Sequence, residues 1–442
     1  MKRRLTGLLV IVAVAVVAVG VGVSYGGGKA TTTLTMWSYD NQDPGLEPVL
    51  KQLSKEFEAS HPGVKINLVF KDFNSLVGTV PQALASGSGP DVTEGNQGYQ
   101  TDAQLVKAKL IIPLTKYVNK YGWNKLYSAS TWGMFRWTPD GKSFGKGPVW
   151  GLAQTGQNIA VFYNKKKLKQ AGLNPNAWPK TYAGFEAMLA TLRAKLPKSD
   201  PVIMEGNKEG YGFIHLFGGI WGASEKPSAI RNWIYHVPGS RYDTPGTVKA
   251  LGRLQAWAKN GYFNPDYNAV GYDAAATLFA KGKGAMWIGG DWDSTIIKAL
   301  GTQNLGVMPI PPGPSGQWAG VGGLSGPWHI SSKTKNADLG AEWLNYVITS
   351  TRAKQLMFKN QQLPADKSAK APTNDPYLTQ VYKAFTKVAN DDGLLLYTDW
   401  ASPSMYTTLQ NQYQNLLAGR TTPQAMAKAV QDDWAKFDKT LR

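Results

Sequence analysis

Three short segments near the start of this chain restrict its fold more than any other feature. Leu34-Thr35-Met36-Trp37 reads as a strand running into a polar turn from Ser38 to Gly45. Leu46, Val49, Leu50, Leu53 and Phe57 then recur at i, i+3, i+4, i+7 and i+11, which is one face of a helix. His61-Pro62-Gly63 stops that helix, and Val64, Ile66, Leu68 and Phe70 alternate as a second strand. Strand, helix, strand in this order is a βαβ unit with a parallel pair, so the chain is of the α/β class. A second helical face, with Leu76, Val80, Ala83 and Leu84, ends at Gly87-Ser88-Gly89-Pro90.

The segment before this unit, residues 1–29, has the pattern of an export signal. Lys2-Arg3-Arg4 is followed by an apolar or small-residue run from Leu5 to Val23, then by Gly26-Gly27-Gly28 and Thr31-Thr32-Thr33. As a helix the run would rise about 28 Å, close to the ~30 Å of a bilayer core. The nearest small-x-small site, Gly22-Val23-Ser24, is poor. The chain has no cysteine, so no lipid can be carried on an N-terminal Cys. An uncleaved anchor with a Gly/Thr tether is the first expectation, and cleavage with release into the periplasm or medium is the second. Either places the remainder outside the cytoplasm. No later segment approaches eighteen consecutive apolar residues.

For an exported chain, zero Cys also means no disulfides, so burial alone must stabilise it. A 442-residue chain with 43% apolar residues is long enough for two lobes that do so. Thiol catalysis and Cys-ligated zinc are excluded. The formal charge of +18 suits nucleic acid, anionic lipid or wall polyanions. Export argues against nucleic acid, and the scattered Lys and Arg read as a solvated basic surface.

Further on, Ile159 to Tyr163 is strand-like, and Pro179-Lys180-Thr181-Tyr182 opens a helix running to about Leu196. Tyr211 to Ala223 is apolar, aromatic and glycine-punctuated with no clean period. Leu339, Trp343 and Val347 mark one helix. Thr422 and Pro423 read as N-cap and first-turn residues of the last, with Met426, Val430, Trp434, Phe437 and Leu441 as its apolar face. No repeat or long linker separates two lobes, so they are expected to be interwoven.

Several further strings complete a pattern. These are His61-Pro62-Gly63-Val64; Ala83 to Val92; Ala160-Val161-Phe162-Tyr163-Asn164-Lys165 with Gln170-Ala171-Gly172-Leu173; Trp178-Pro179-Lys180-Thr181; Phe279 to Met286; and Gly289-Gly290-Asp291-Trp292. In this order, behind an export signal, the chain resembles the extracellular solute-binding proteins, family 1, which serve carbohydrate ABC importers and include maltose-binding protein. The resemblance implies a two-lobe periplasmic-binding-protein-like fold with a hinge of crossing segments near Leu152–Gln154, Pro309–Pro312 and Ile348–Ser350. The lobes would then be 30–152 with 310–349, and 153–309 with 350–442. It also implies a monomer that captures a mono- or oligosaccharide in the interlobe cleft and delivers it to the importer's membrane permease subunits. No cofactor is implied, and ATP would be hydrolysed by a partner.

Sugar sites need flat aromatics for C–H faces and carboxylates, amides or hydroxyls for the rims; the chain has 16 Trp and 20 Tyr. In open α/β sheets ligands meet the carboxyl ends of strands. Trp37, Tyr39 and Asp40 follow the first strand, Glu94, Asn96 and Gln97 follow Asp91-Val92, and Asp291 and Trp292 follow Ala285 to Ile288. In the resembled family Trp292 matches a sugar-stacking tryptophan, and Phe213, His215 and Trp221 fall where relatives place aromatic contacts. Gly323 and Ser325, within Gly322 to Gly326, offer backbone amides to a ligand, and Trp400 is a further candidate. Each of these aromatics has core packing as its competing reading. Asp91 reads as structural. His61, His236 and His329 share no spacing, so no metal site is expected.

The main rival is a secreted polysaccharide hydrolase, with a carboxylate pair drawn from Asp40, Glu94, Asp291 and Asp399. A surface adhesin for wall polymers is another. Ser325 in Gly323-Leu324-Ser325-Gly326-Pro327 fails the G-x-S-x-G elbow, and neither H-E-x-x-H nor a G-x-x-x-x-G-K-[ST] string occurs. The expectation is therefore a binding protein and not an enzyme.

Overall fold

The computed structural model describes residues 31–39, 45–370 and 374–442; Leu5 to Val23 and Asp40 lie outside them. β1 (Thr32–Ser38) buries Leu34, Met36 and Ser38 on one face. The helix Leu46–Ser60 turns Leu46, Val49, Leu50, Leu53 and Phe57 inward, the stripe expected from their spacing. β2 (Val64–Phe70) pairs with β1 in parallel from Thr32↔Val64 to Ser38↔Phe70, completing the βαβ unit. The helix Phe73–Ser86 starts at Asp72, whose side chain accepts from Ser75 N, and ends at Gly87 in the left-handed region. It leads to β3 (Val92–Glu94), parallel to β1 on its other side. Asp91 ties this sheet together: Oδ2 accepts from Thr35 N at 2.9 Å, and Oδ1 takes the Thr334 hydroxyl.

β4 (Arg136–Trp137) and β5 (Phe144–Val149) form a short antiparallel pair. The chain then crosses between sheets, and Leu152 exchanges backbone hydrogen bonds with Trp328 at 3.2 and 2.8 Å. β6 (Thr155–Asn164) organises the second sheet. β7 (Ile203–Met204) lies parallel to β8 (Met286–Gly290), which is antiparallel to β6. β9 (Leu305–Met308) and β10 (Gly320–Leu324) also pair antiparallel with β6. β11 (Trp328–Ile330) returns to the first sheet, antiparallel to β3, giving the order β11-β3-β1-β2. β12 (Leu363–Pro364) goes back to β6, and β13 (Leu394–Leu395) closes the second sheet parallel to β10.

The chain passes from the first sheet to the second between Leu152, bridged to Trp328, and Thr155, where β6 begins. Pro309–Pro312 lies between β9 and β10, both on β6, so the chain does not change sheets there; it does so at Ser325–Pro327. Nor does it leave the first half at Ile348–Ser350. The next helix, Thr351–Lys359, is held to Leu46–Ser60 by Arg352, whose Nη2 lies 2.8 Å from Glu56 Oε1. The chain reaches β12 only afterwards.

Tyr211 to Ala223 showed no period because the helix Gly212–Gly222 is buried on every side. Its glycines accept neighbours that a side chain would hit, Val321 against Gly218 and Ile310 against Gly219. Thr422 caps its helix as expected, accepting from Ala425 N, and Thr181 caps the helix Tyr182–Lys195, accepting from Gly184 N.

Candidate functional site

β8 ends at Gly290, and a short turn, Asp291–Asp293, follows at the carboxyl end of the strand. A Cβ on Gly290 would lie 2.2 Å from the Trp292 indole, so only glycine lets that ring fold back over the strand end. Asp291 is 4% exposed. Its Oδ1 accepts from Asn158 N on β6 at 3.1 Å, while Oδ2 has no partner among the described residues. Burial without a countercharge pushes this carboxyl up to about 8, against the pull of the Asn158 N–H.

Trp292 joins a ring group centred on His215. The His215 imidazole lies 5.1 Å from Tyr272 and 5.6 Å from each of Tyr211, Trp292 and Tyr397. Gly290 N donates to the Tyr272 hydroxyl at 2.7 Å, tying the group to the strand end. Burial pushes His215 down to about 3, and its Nδ1 has no partner among the described residues. Tyr272 is buried, whereas Trp292, Tyr211 and Tyr397 each keep part of their surface exposed. The arrangement offers flat, partly open ring faces beside a buried carboxyl and a neutral imidazole, which suits a polyhydroxylated ring with apolar C–H faces.

From the first sheet comes Glu94, 1% exposed at the end of β3. Its Oε2 accepts from Ser38 Oγ at 2.6 Å and Tyr39 N at 2.9 Å, fixing the loop after β1 to the loop after β3. Tyr39 sits edge-on to Phe73 at 5.2 Å. Gln97 donates to the carbonyls of Leu324 and Ser325 at 3.3 and 2.8 Å, and Ser325 N donates to Thr155 O at 2.9 Å. Asn96 is part-buried, its carbonyl accepting from Asp102 N. The loop Glu94 to Gln97 is thus pinned to the crossing segment. Gly98 has φ +91°, and its missing Cβ would lie 2.5 Å from that of Trp400. Tyr99 N donates to Trp400 O at 3.0 Å, and the Trp400 ring lies 5.1 Å from Tyr397. Trp400 therefore wedges between the first-sheet loop and the ring group.

Other expected residues lie elsewhere. Phe213 packs on Phe263, Tyr267 and Tyr413 with no exposure, and Trp221 packs on Tyr242 and Trp233 with its indole N–H donated to Thr247 Oγ1 at 2.7 Å. Both are core residues, because the helix carrying them is buried on all sides. Gly323 is crowded by Met134, and a Cβ on Gly326 would lie 1.9 Å from the Tyr39 hydroxyl. These glycines accommodate protein neighbours. Trp37 points to the opposite face of β1 from Leu34, Met36 and Ser38, under Lys71 Nζ at 3.5 Å from the ring centre. Asp40 lies outside the described residues.

Tyr211, Tyr272 and Tyr397 were not anticipated. Tyr211 stands four residues before His215, a same-face spacing that could have flagged it; nothing in the sequence marks the other two. His236 meets Asp438 at 3.0 Å, and His329 meets Asp102 at 3.0 Å, in separate buried places. Among the described residues no group of three or more His, Cys, Asp or Glu is placed to hold a metal ion. A hollow of about 310 Å³ opens beside Thr33, Asp91, Ser331 and Lys333. It lies at the amino end of β1, away from the strand ends where such sheets bind ligands.

Residues 18–354 match the model of the bacterial extracellular solute-binding proteins. The multiple sugar-binding protein of Streptococcus mutans is 24% identical over 366 residues, 79% of each chain. A maltooligosaccharide ABC transporter solute-binding lipoprotein of Streptococcus pneumoniae is 22% identical, covering 78% of this chain and 76% of its own. Among solved structures, a chitin oligosaccharide binding protein superposes with TM-score 0.78 at 21% identity, over 92% of this chain and 99% of that one. SBP RafE in complex with raffinose gives TM-score 0.70 at 18% identity, over 92% and 100%. The likeness to these structures is one of fold: two α/β halves carried by separate sheets.

Proposed function

The chain belongs to the bacterial extracellular solute-binding protein family, and on that footing we propose that it captures a mono- or oligosaccharide between its two sheets and delivers it to the permease of an ABC importer. The observation that carries this reading is Trp292, held over the end of β8 by Gly290 beside the unpartnered Asp291 Oδ2 and the His215 ring group. The sugar's C–H face would lie on the indole, and its hydroxyls would reach Asp291 from one side and the Glu94 to Gln97 loop from the other. Contacts from both halves favour the closed arrangement by their differential strength, and the loaded form presents a composite surface to the permease. The names of the relatives support a sugar as the solute.

The strand pairings support lobes made of residues 31–152 with 326–360, and 153–325 with 361–442. Leu5 to Val23 serves in this reading as a retained anchor that keeps a monomeric receptor at the outer face of the membrane. The reading is of binding without turnover: Glu94, a carboxylate the hydrolase alternative would use, is already engaged by Ser38 and Tyr39. Calorimetry with a panel of mono- and oligosaccharides tests it, followed by prolonged incubation and chromatography of the bound sugar. Saturable binding with the sugar recovered intact is expected. Release of shorter sugars would overturn it in favour of a hydrolase.

A further inference from the structure

Resting on that reading of Trp292, we propose that Ser294 and Tyr377 are positioning residues: a relay of their hydroxyls fixes the turn that carries the indole, and so sets where a sugar can stack. Both residues are fully buried, so neither touches a sugar itself.

Trp292 sits in the turn Asp291–Asp293, between the end of β8 and the short helix Ser294–Ile297. So short a turn is placed by what its backbone is tied to. The Ser294 hydroxyl donates to Asp291 O at 2.5 Å, closing the turn from its far side. The Tyr377 hydroxyl donates to that same Ser294 oxygen at 2.9 Å, from 83 residues further along the chain. On the near side, Gly290 N donates to the Tyr272 hydroxyl at 2.7 Å. Two tyrosine hydroxyls therefore hold neighbouring residues, Tyr272 the N–H of Gly290 and Tyr377, through Ser294, the carbonyl of Asp291. Gln362 Nε2 adds a longer bond, 3.4 Å, to Trp292 O.

Tyr377 is itself fixed. It is the second residue of the helix Pro376–Asn390, and its N–H and that of Leu378 donate to Asp375 Oδ1 at 3.0 and 2.9 Å. Its ring belongs to the buried cluster that includes Phe162 on β6, Trp287 on β8 and Ile297. Packing alone would be served by Phe, which fills the same space. Burying a hydroxyl is unfavourable unless it is bonded, and the bonds these two hydroxyls make lead to the turn. With Gly290 leaving room for the ring and the relay holding the backbone, Trp292 stands in its stacking position before a sugar arrives. A binding constellation must be held to within about 0.5 Å, which a turn tied on both sides can meet.

The test is fluorine NMR of the ligand-free protein made with 5-fluorotryptophan. Trp292→Phe identifies the Trp292 resonance, and Trp221→Phe that of a core tryptophan. In Tyr377→Phe, which keeps the ring, and in Ser294→Ala, the Trp292 resonance should shift or broaden while that of Trp221 stays. Should Ser294→Ala not fold, Tyr377→Phe decides alone. Calorimetry follows with glucose, mannobiose, maltotriose, chitotriose and raffinose. Each variant should bind the tightest of these at least about threefold more weakly than the parent. The double variant should lose less than the product of the two single losses, because both hydroxyls act through one carbonyl. A Trp292 resonance unmoved in the folded variants would overturn the relay. A moved resonance with affinity unchanged would overturn its role in recognition while leaving sugar binding intact. Failure of every sugar to bind the parent would overturn the sugar-binding reading, and with it the purpose given to the relay.

Discussion

Asp291→Asn isolates the cost of burying a carboxyl without a countercharge. The carbonyl of Asn can still accept from Asn158 N, so shape and the one hydrogen bond survive. In the parent, burial raises the carboxyl from 3.8 to about 8. The native state therefore keeps a proton that the unfolded chain gives up above its own value near 4. A raised folded value contributes stability that is full below about pH 4 and is lost as pH climbs to about 8. At about 1.4 kcal/mol per unit, the ligand-free parent should lose about 4 kcal/mol from this one group between pH 5 and pH 8. The Asn side chain does not titrate and should lose none. Urea unfolding of both proteins at the two pH values reads the difference, and other groups common to both, Asp399 among them, cancel. The variant should gain on the parent by about 2–4 kcal/mol as pH rises. A parent-to-variant difference that moves by less than about 0.5 kcal/mol across this range would show that the carboxyl ionises normally, and the account of Asp291 would fall.

Trp292→Ala should weaken sugar binding at least about thirtyfold and leave the ligand-free melting midpoint within about 3 °C of the parent, as calorimetry and melting in parallel will show. Trp221→Ala should do the reverse, costing about 3–5 kcal/mol of stability by denaturant titration without a selective loss of affinity in the folded fraction. N-terminal sequencing of protein from native membranes should find Leu5 to Val23 still attached; a start between Gly22 and Thr31 would show that the segment is cleaved.

What could be read from the sequence was whatever leaves a period or a cap. Leu46 to Phe57 gave a helix because one face is buried and the other is wet, and Thr181 and Thr422 gave helix starts because their hydroxyls satisfy free amides. Gly212–Gly222 left no such trace, since a helix surrounded by protein needs no polar side. The crossing after β10 is hard to read for a related reason: β10 is glycine-rich and short, and only its pairing to β6 shows which sheet it joins. Trp292, Asp291 and His215 were named from strand ends and from family resemblance. Tyr272 and Tyr397 meet His215 from positions 57 and 182 residues further along the chain, a distance no local pattern spans. Phe213 and Trp221, named from the same resemblance, are packed among other rings with no open face.

The pairing of β6 also sets when this molecule can become itself during synthesis. Its four direct partners begin at residues 286, 305, 320 and 363. The first sheet is likewise incomplete until β11, at 328–330, comes home beside β3. Loop closures this long are slow, because the entropy of bringing the ends together comes before any contact rewards it. A ribosome adding about 5–20 residues per second leaves the N-terminal stretches waiting many seconds for their partners. Neither sheet can close for as long as the far end of the chain is unmade. Both sheets thus stay open until their late strands, β11 and β12, have been made.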